Sequence, residues 1–312
     1  MTLRPFIAFF TAVILSLTWG SATVAQDRGI GHIKDIYVFG DSLSDNGNLF
    51  SATGGLAPPS PPYFDGRFSN GPVWVEYLDD MLPRAALNDF AFGGAYSDFR
   101  NENAPSLPGV LTQVAAFLGT NPQFNHRDLC IVWSGANNYI FEPIGSNPST
   151  IVDDVSIAIH QLAGAGCQSF LIPNLPNIGE SPFGIANGLQ GVLTPKIETH
   201  NSELAEEVDF LREELGIEII LLNVNILFGR TLAGQLGFVN STVPCLVTIA
   251  GGPTPTGACP VDDTGQIERV APGTLFMDGV HPTTAAHRLI AAFAFGGLGA
   301  SQAKGNQIVA AE

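Results

Sequence analysis

Ser42, Asp278 and His281 stand far apart in the chain but are the residue types that one piece of chemistry needs. Ser42 lies in VFGDSLSDNGN (38–48), where an apolar run breaks into small polar residues. Asp278 and His281 lie three apart in FMDGVHPTTAAHRL (276–289). A serine hydroxyl becomes a nucleophile when a base takes its proton, and an imidazole serves as that base when a carboxylate orients it. One loop supplies both base and orienter, and Pro282 keeps His281 off the next helix. The combination points to acyl transfer through a covalent serine intermediate. Each residue alone has an ordinary use, Asp41 and Ser42 as a helix cap and its neighbour above all. It is their coincidence at one place in the fold that argues for chemistry.

The elements that must bring them together can be read from periodicity. IKDIYVFG (33–40), DLCIVWSG (128–135), CQSFLIPN (167–174) and IEIILLNVN (217–225) are near-continuous apolar runs. Such runs are strands buried on both faces, as in a parallel sheet covered by helices. Between them, Ile151, Val155, Ile159 and Leu162 fall on one helical stripe. Ile197, Leu204, Val208, Leu211 and Leu215 fall on a second, with Thr194 expected as its cap, Pro195 in its first turn and Gly216 at its end. Strand and helix in alternation predict a single, doubly wound α/β domain with a parallel sheet between helix layers, α/β/α. In open sheets of this kind ligands bind beyond the carboxyl ends of the strands. Three polar, turn-forming segments stand at such ends: Gly40-Asp41-Ser42, then Gly93-Gly94 in NDFAFGGAYSD (88–98), then Ser134-Gly135-Ala136-Asn137-Asn138. A serine at a strand end exposes its hydroxyl to a substrate and its N–H to a developing oxyanion.

At these residues the chain resembles the GDSL, or SGNH, family of serine esterases and lipases. It is most similar to the subgroup of bacterial lecithinase/haemolysin-like enzymes and plant GDSL lipases. The motifs carrying the resemblance are FGDSLSDNGN (39–48), DGRFSNGPVWVEYL (65–78), FAFGGA (90–95), GANN (135–138) and DGVHPT (278–283), in the family's order. The resemblance implies the flavodoxin-like, three-layer fold of SGNH hydrolases, with Ser42 as nucleophile, His281 as general base and Asp278 as its orienter. It implies an oxyanion hole made of the backbone N–H of Ser42, the backbone N–H of Gly94 and the side-chain amide of Asn137. Gly94, not Gly93, is favoured by alignment with the glycine pair. Two positions depart from the family pattern: Asn138 stands where an aspartate is usual, and Asn88 sits one place early, with Asp89 in its slot. The GxSxG string of α/β-hydrolases is absent.

Composition bounds the rest. Thirteen basic residues face 29 acidic ones, the reverse of the basic footprint that nucleic-acid binding requires. The N-terminus, MTLRPFIAFFTAVILSLTWGSATVAQ, has Arg4, an apolar stretch from Phe6 to Trp19, then small residues. That is the signal-peptide pattern, with cleavage expected after Ala25 or Ala22, and the stretch falls short of the ~20 residues of a membrane span. Residues 1–25 are thus read as a signal peptide and 26–312 as the hydrolase domain, secreted or periplasmic. Cleavage leaves 12 basic residues against 29 acidic ones, a formal charge of −17. Export permits disulfides. Cys245 and Cys259 bracket a Gly/Pro-rich loop and are expected to pair; Cys130 and Cys167 either pair across neighbouring strands or remain buried thiols. No cysteine–histidine spacing suits a metal. No cofactor is expected. The expected partner is an ester substrate, small-molecule or lipid, with acyl transfer to an alcohol or a catalytically dead binding scaffold as the alternatives. The apolar FGIANGLQGVL (183–193) hints at an acyl-binding surface, although such a stretch is more often core or loop packing.

Overall fold

A computed structural model describes residues 33–82, 84–249, 252–269 and 273–304. The expected signal segment, residues 1–25, lies outside them. Five strands form one sheet: β1 (Asp35–Gly40), β2 (Ala86–Asp89), β3 (Leu129–Trp133), β4 (Ser169–Pro173) and β5 (Glu218–Leu222). All pairings are parallel and the order is β2-β1-β3-β4-β5. This is the doubly wound order whose switch point lies between β1 and β3.

Side-chain alternation splits the core into two layers. Ile36, Val38, Leu129, Ile131, Trp133, Leu171, Ile220 and Leu222 share one cluster. It packs against α2 (Trp74–Met81), α8 (Val224–Leu232) and α9 (Thr284–Lys304). Phe39, Cys130, Val132, Phe170, Ile172, Ile219 and Leu221 face the other way, toward α3 (Val110–Leu118), α5 (Pro148–Gly164) and α7 (Gln190–Leu215). Successive strand residues point to opposite faces, so a continuous apolar run is what a sheet covered on both sides needs. The remaining helices are short: α1 (Asn48–Ala52), α4 (Ala136–Phe141) and α6 (Pro182–Ala186). A two-stranded antiparallel ribbon, β6 (Leu246–Ile249) with β7 (Gly252–Pro255), lies within what reads from sequence as one long loop.

The second helical stripe begins earlier than its capping residues suggest. α7 starts at Gln190, so Pro195 lies inside the helix and Thr194 is not its cap. Pro195 is exposed, as is Gly191 one turn back, so the carbonyl that loses its partner there can be hydrated. Thr194 instead donates its hydroxyl to Asn177 Oδ1 at 3.1 Å. Both cysteine pairs are bridged: Cys245 to Cys259, and Cys130 on β3 to Cys167 just before β4. The second pairing arises because β3 and β4 are neighbours, which settles the alternative that the sequence leaves open. Among the described residues no helix is long and apolar enough to cross a membrane.

Candidate active site

Ser42 leaves the sheet two residues after β1, at the switch point. Gly40 makes that exit possible: a Cβ there would sit 2.7 Å from the Trp133 carbonyl oxygen of β3. Gln113 of α3 grips the strand end with both ends of its amide, accepting from Gly40 N–H at 3.0 Å and donating to Gly40 O at 2.9 Å. The next turn closes with Ser44 and Asp45 N–H on the Asp41 carbonyl. Asp45 then does what its place in the sequence does not announce. Its carboxylate accepts the N–H groups of Gly47, Asn48 and Leu49 at the start of α1, and that of Gly93 at 2.8 Å. The Ser42 turn and the Gly93-Gly94 turn are therefore locked together. Burial pushes the Asp45 carboxyl up despite those four donors.

His281 meets Ser42 across 239 residues of sequence, with Nε2 2.7 Å from Oγ. Its Nδ1 lies 2.7 Å from Asp278 Oδ2 and 2.9 Å from Oδ1. A carboxylate only accepts, so Nδ1 carries the proton and Nε2 is the acceptor of the serine hydroxyl. Asp278 is buried, 8% exposed. Burial pushes its carboxyl up, but the His281 imidazole, the Tyr63 hydroxyl and the Val280 N–H outweigh burial and hold it below the ordinary carboxylate value. Asp41, beside the serine, goes the other way: burial pushes it up to about 6, against the Leu43 N–H and nearby His281. The 278–284 turn is held by Met277 N–H on the His281 carbonyl and Phe183 N–H on the Gly279 carbonyl.

The glycine pair divides its labour. Gly93 N–H is engaged by Asp45, whereas Gly94, in the left-handed region at φ 78°, has no acceptor for its N–H among the described residues, nor has Ser42. Asn137, on α4 after β3, donates one amide hydrogen to the Ala95 carbonyl at 2.8 Å. That bond fixes the amide beside the Gly94 turn and leaves a second N–H to donate. Asn138 is also buried: its Oδ1 accepts Ser97 N–H at 3.0 Å and its Nδ2 donates to Ser97 Oγ at 3.1 Å. Ser97 Oγ in turn donates to Asp154 Oδ2 at 2.6 Å. The charge expected at position 138 thus sits one link further out, on α5.

An apolar pocket opens on these groups. Ser42, Asn137 and His281 line it, with Leu43, Ile140, Ile178, Phe228, Leu232 and Phe276 as its apolar wall. Residues 183–193 contribute none of the lining, so of the two readings of that stretch packing holds and the acyl-binding surface does not: Phe183 packs on Gly279 and Leu189 on the core. Two histidines outside the site are buried and neutral. Burial pushes His200 down to about 4 and His287 down to about 3, the latter helped by His281. His287 Nδ1 accepts the Trp74 N–H at 3.2 Å. No group of His, Cys, Asp and Glu that could hold a metal ion occurs among the described residues. The arrangement can take a proton from a serine hydroxyl and stabilise an oxyanion next to an apolar cleft.

The family model described as GDSL-like Lipase/Acylhydrolase matches residues 36–293. The chain is 36% identical over 154 residues to a phosphatidylcholine-sterol acyltransferase of Aeromonas hydrophila, covering 47% of this chain and 46% of that relative. It is 27% identical over 279 residues to a thermolabile hemolysin of Vibrio parahaemolyticus, covering 83% and 62%. A GDSL esterase/lipase of Arabidopsis thaliana is 24% identical over 377 residues, covering 91% and 90%. The chain thus spans about half of the acyltransferase and under two thirds of the hemolysin.

Proposed function

The chain belongs to the family of GDSL-like lipases and acylhydrolases, and from that membership we propose that it is an exported carboxylic ester hydrolase acting through an acyl-enzyme on Ser42. The observation that carries the reading is the contact of His281 Nε2 with Ser42 Oγ at 2.7 Å while Asp278 holds Nδ1. Ser42 Oγ adds to the ester carbonyl carbon as its proton passes to His281 Nε2. Asp278 stays ionised and stabilises the imidazolium. The carbonyl oxygen, now an oxyanion, takes hydrogen bonds from the N–H of Ser42, the N–H of Gly94 and the second Nδ2–H of Asn137. On collapse the carbon–oxygen bond to the alcohol breaks, and His281 returns its proton to the leaving alkoxide. The acyl group remains on Ser42. Water, giving a proton to His281, repeats the addition; the acid leaves and Ser42 regains its proton.

The apolar wall of the pocket beside Ser42 supports an acyl or lipid ester as substrate. One relative is a phosphatidylcholine-sterol acyltransferase, which favours a second reading: an alcohol in place of water accepts the acyl group from the same intermediate. Residues 1–25 are a signal peptide removed on export. The two disulfides support that location, since such bonds persist in oxidising compartments.

Turnover of p-nitrophenyl esters of graded chain length tests the function. Hydrolysis is expected in the wild type and is lost, by about 10⁴-fold or more, in Ser42→Ala with the fold intact. Absence of turnover on every ester would remove the hydrolase reading, and ester product formed only with an added alcohol would replace it with the transferase.

A further inference from the structure

The DGRFSNGPVWVEYL stretch and the tyrosine just before it take no part in the steps above, yet they bind the loop of Asp278 and His281 repeatedly. Tyr63 donates its hydroxyl to Asp278 Oδ2 at 2.6 Å. Phe68 lies against the His281 ring, with centroids 4.8 Å apart, and Tyr63 packs edge-on against Phe68. Ser69 Oγ donates to the Pro282 carbonyl at 3.1 Å. Asn70 Oδ1 accepts the Thr284 N–H at 2.8 Å, and the Thr284 hydroxyl donates to the Pro72 carbonyl at 2.9 Å. Ser69 and Asn70 are wholly buried.

We propose that Tyr63 is a positioning residue for the catalytic carboxylate, with residues 63–72 forming a clasp that holds the Asp278–His281 turn against Ser42. The inference rests on the triad proposed above. The geometry assigns each Asp278 oxygen its own donors. Oδ1 accepts the N–H groups of Val280 and His281, at 3.0 and 2.8 Å. Oδ2 accepts the Tyr63 hydroxyl, and both oxygens face His281 Nδ1. The carboxylate plane is thereby fixed from two sides, and with it the direction of the imidazole. Tyr63 is only 5% exposed, so solvent does not compete for the phenol. A hydrogen bond to an ionised acceptor is stronger than one between neutral groups. Burial and the adjacent Asp278 both push the phenol's ionisation up, so it remains a donor throughout the neutral range.

The competing role is packing alone, because the ring also sits among Cys245, Cys259, Ile267 and Met277. Tyr63→Phe separates the two, since it keeps the ring and removes only the hydroxyl. The expected result is a fall in kcat of about tenfold with KM close to wild type and the fold intact. The acidic limb of the kcat/KM profile should also move to higher pH, because a carboxylate relieved of one donor holds the imidazolium proton more tightly. In an Asp278→Asn background the same change should add nothing to the loss in the rate of fluorophosphonate labelling of Ser42. Wild-type kcat with an unmoved acidic limb, or an undiminished loss in the Asp278→Asn background, would overturn the inference. Ser42→Ala, run alongside, keeps the two levels apart. A dead Ser42→Ala with an unaffected Tyr63→Phe removes Tyr63 and leaves the triad standing. Turnover that survives Ser42→Ala removes the triad and this inference with it.

Discussion

The two halves of the site are held in place by different means. Ser42, Gly94 and Asn137 emerge from the ends of the sheet, where β1 pairs with β2 on one side and β3 on the other. Their positions are set by strand ladders, the Gln113 clamp on Gly40 and the Asp45 link to Gly93. Asp278 and His281 emerge from irregular chain ahead of α9 and belong to no strand of the sheet. Their turn is fixed by side chains of the 63–72 clasp and by the disulfide loop, where Cys245 and Leu246 donate their N–H groups to the carbonyls of Phe276 and Met277, just before Asp278. A ladder is redundant, because many equivalent bonds share the load. A set of single side-chain contacts is not, so the acid–base half should be the more easily disturbed of the two.

Asn137→Ala probes the sheet half and should have the largest effect of the changes that leave the triad intact. As an oxyanion donor the amide would act on charge that develops only near the transition state. Its loss should lower kcat by about 100–1,000-fold and leave KM nearly unchanged. A rise in KM alone would make Asn137 a ground-state binding residue. One disulfide lies in each region. Replacing Cys245 and Cys259 by serine opens a closed loop 14 residues apart in sequence, which costs about 3 kcal/mol in the chain-entropy model. It should also lower kcat several-fold, since the 276–277 pairing loosens. Replacing Cys130 and Cys167, 37 apart, should cost about 4 kcal/mol on the same model yet leave kcat near wild type. Melting curves and initial rates on both variants check this. Equal effects on kcat would mean that the two halves are not differently held.

The same contrast explains which parts of the molecule are legible in the sequence. Four of the five strands can be read because burial on both faces writes an unbroken apolar run, and Ser42 and Asn137 stand just past two of them; the short, half-exposed β2 writes no such run, and Gly94 is marked only by the resemblance. Asp278 and His281 are legible through their spacing and the proline after them. The start of α7 is not, because Pro195 and Thr194 look like a helix beginning, whereas an exposed proline is tolerated within the helix at that point. Asp45, Gln113 and Tyr63 carry no usable signal. Their roles depend on partners 48, 73 and 215 residues away, which only the folded chain brings near. The Asp154 charge behind Asn138 is hidden for the same reason, because its link runs through Ser97, 57 residues from it.

A serine made nucleophilic by His281 is open to covalent labelling. The protein would be treated with a fluorophosphonate, digested, and mapped by mass spectrometry. One adduct is expected, on the peptide carrying Ser42, absent in Ser42→Ala and strongly slowed in His281→Ala. An adduct of undiminished yield in Ser42→Ala, or labelling of Ser42 at the wild-type rate without His281, would contradict it.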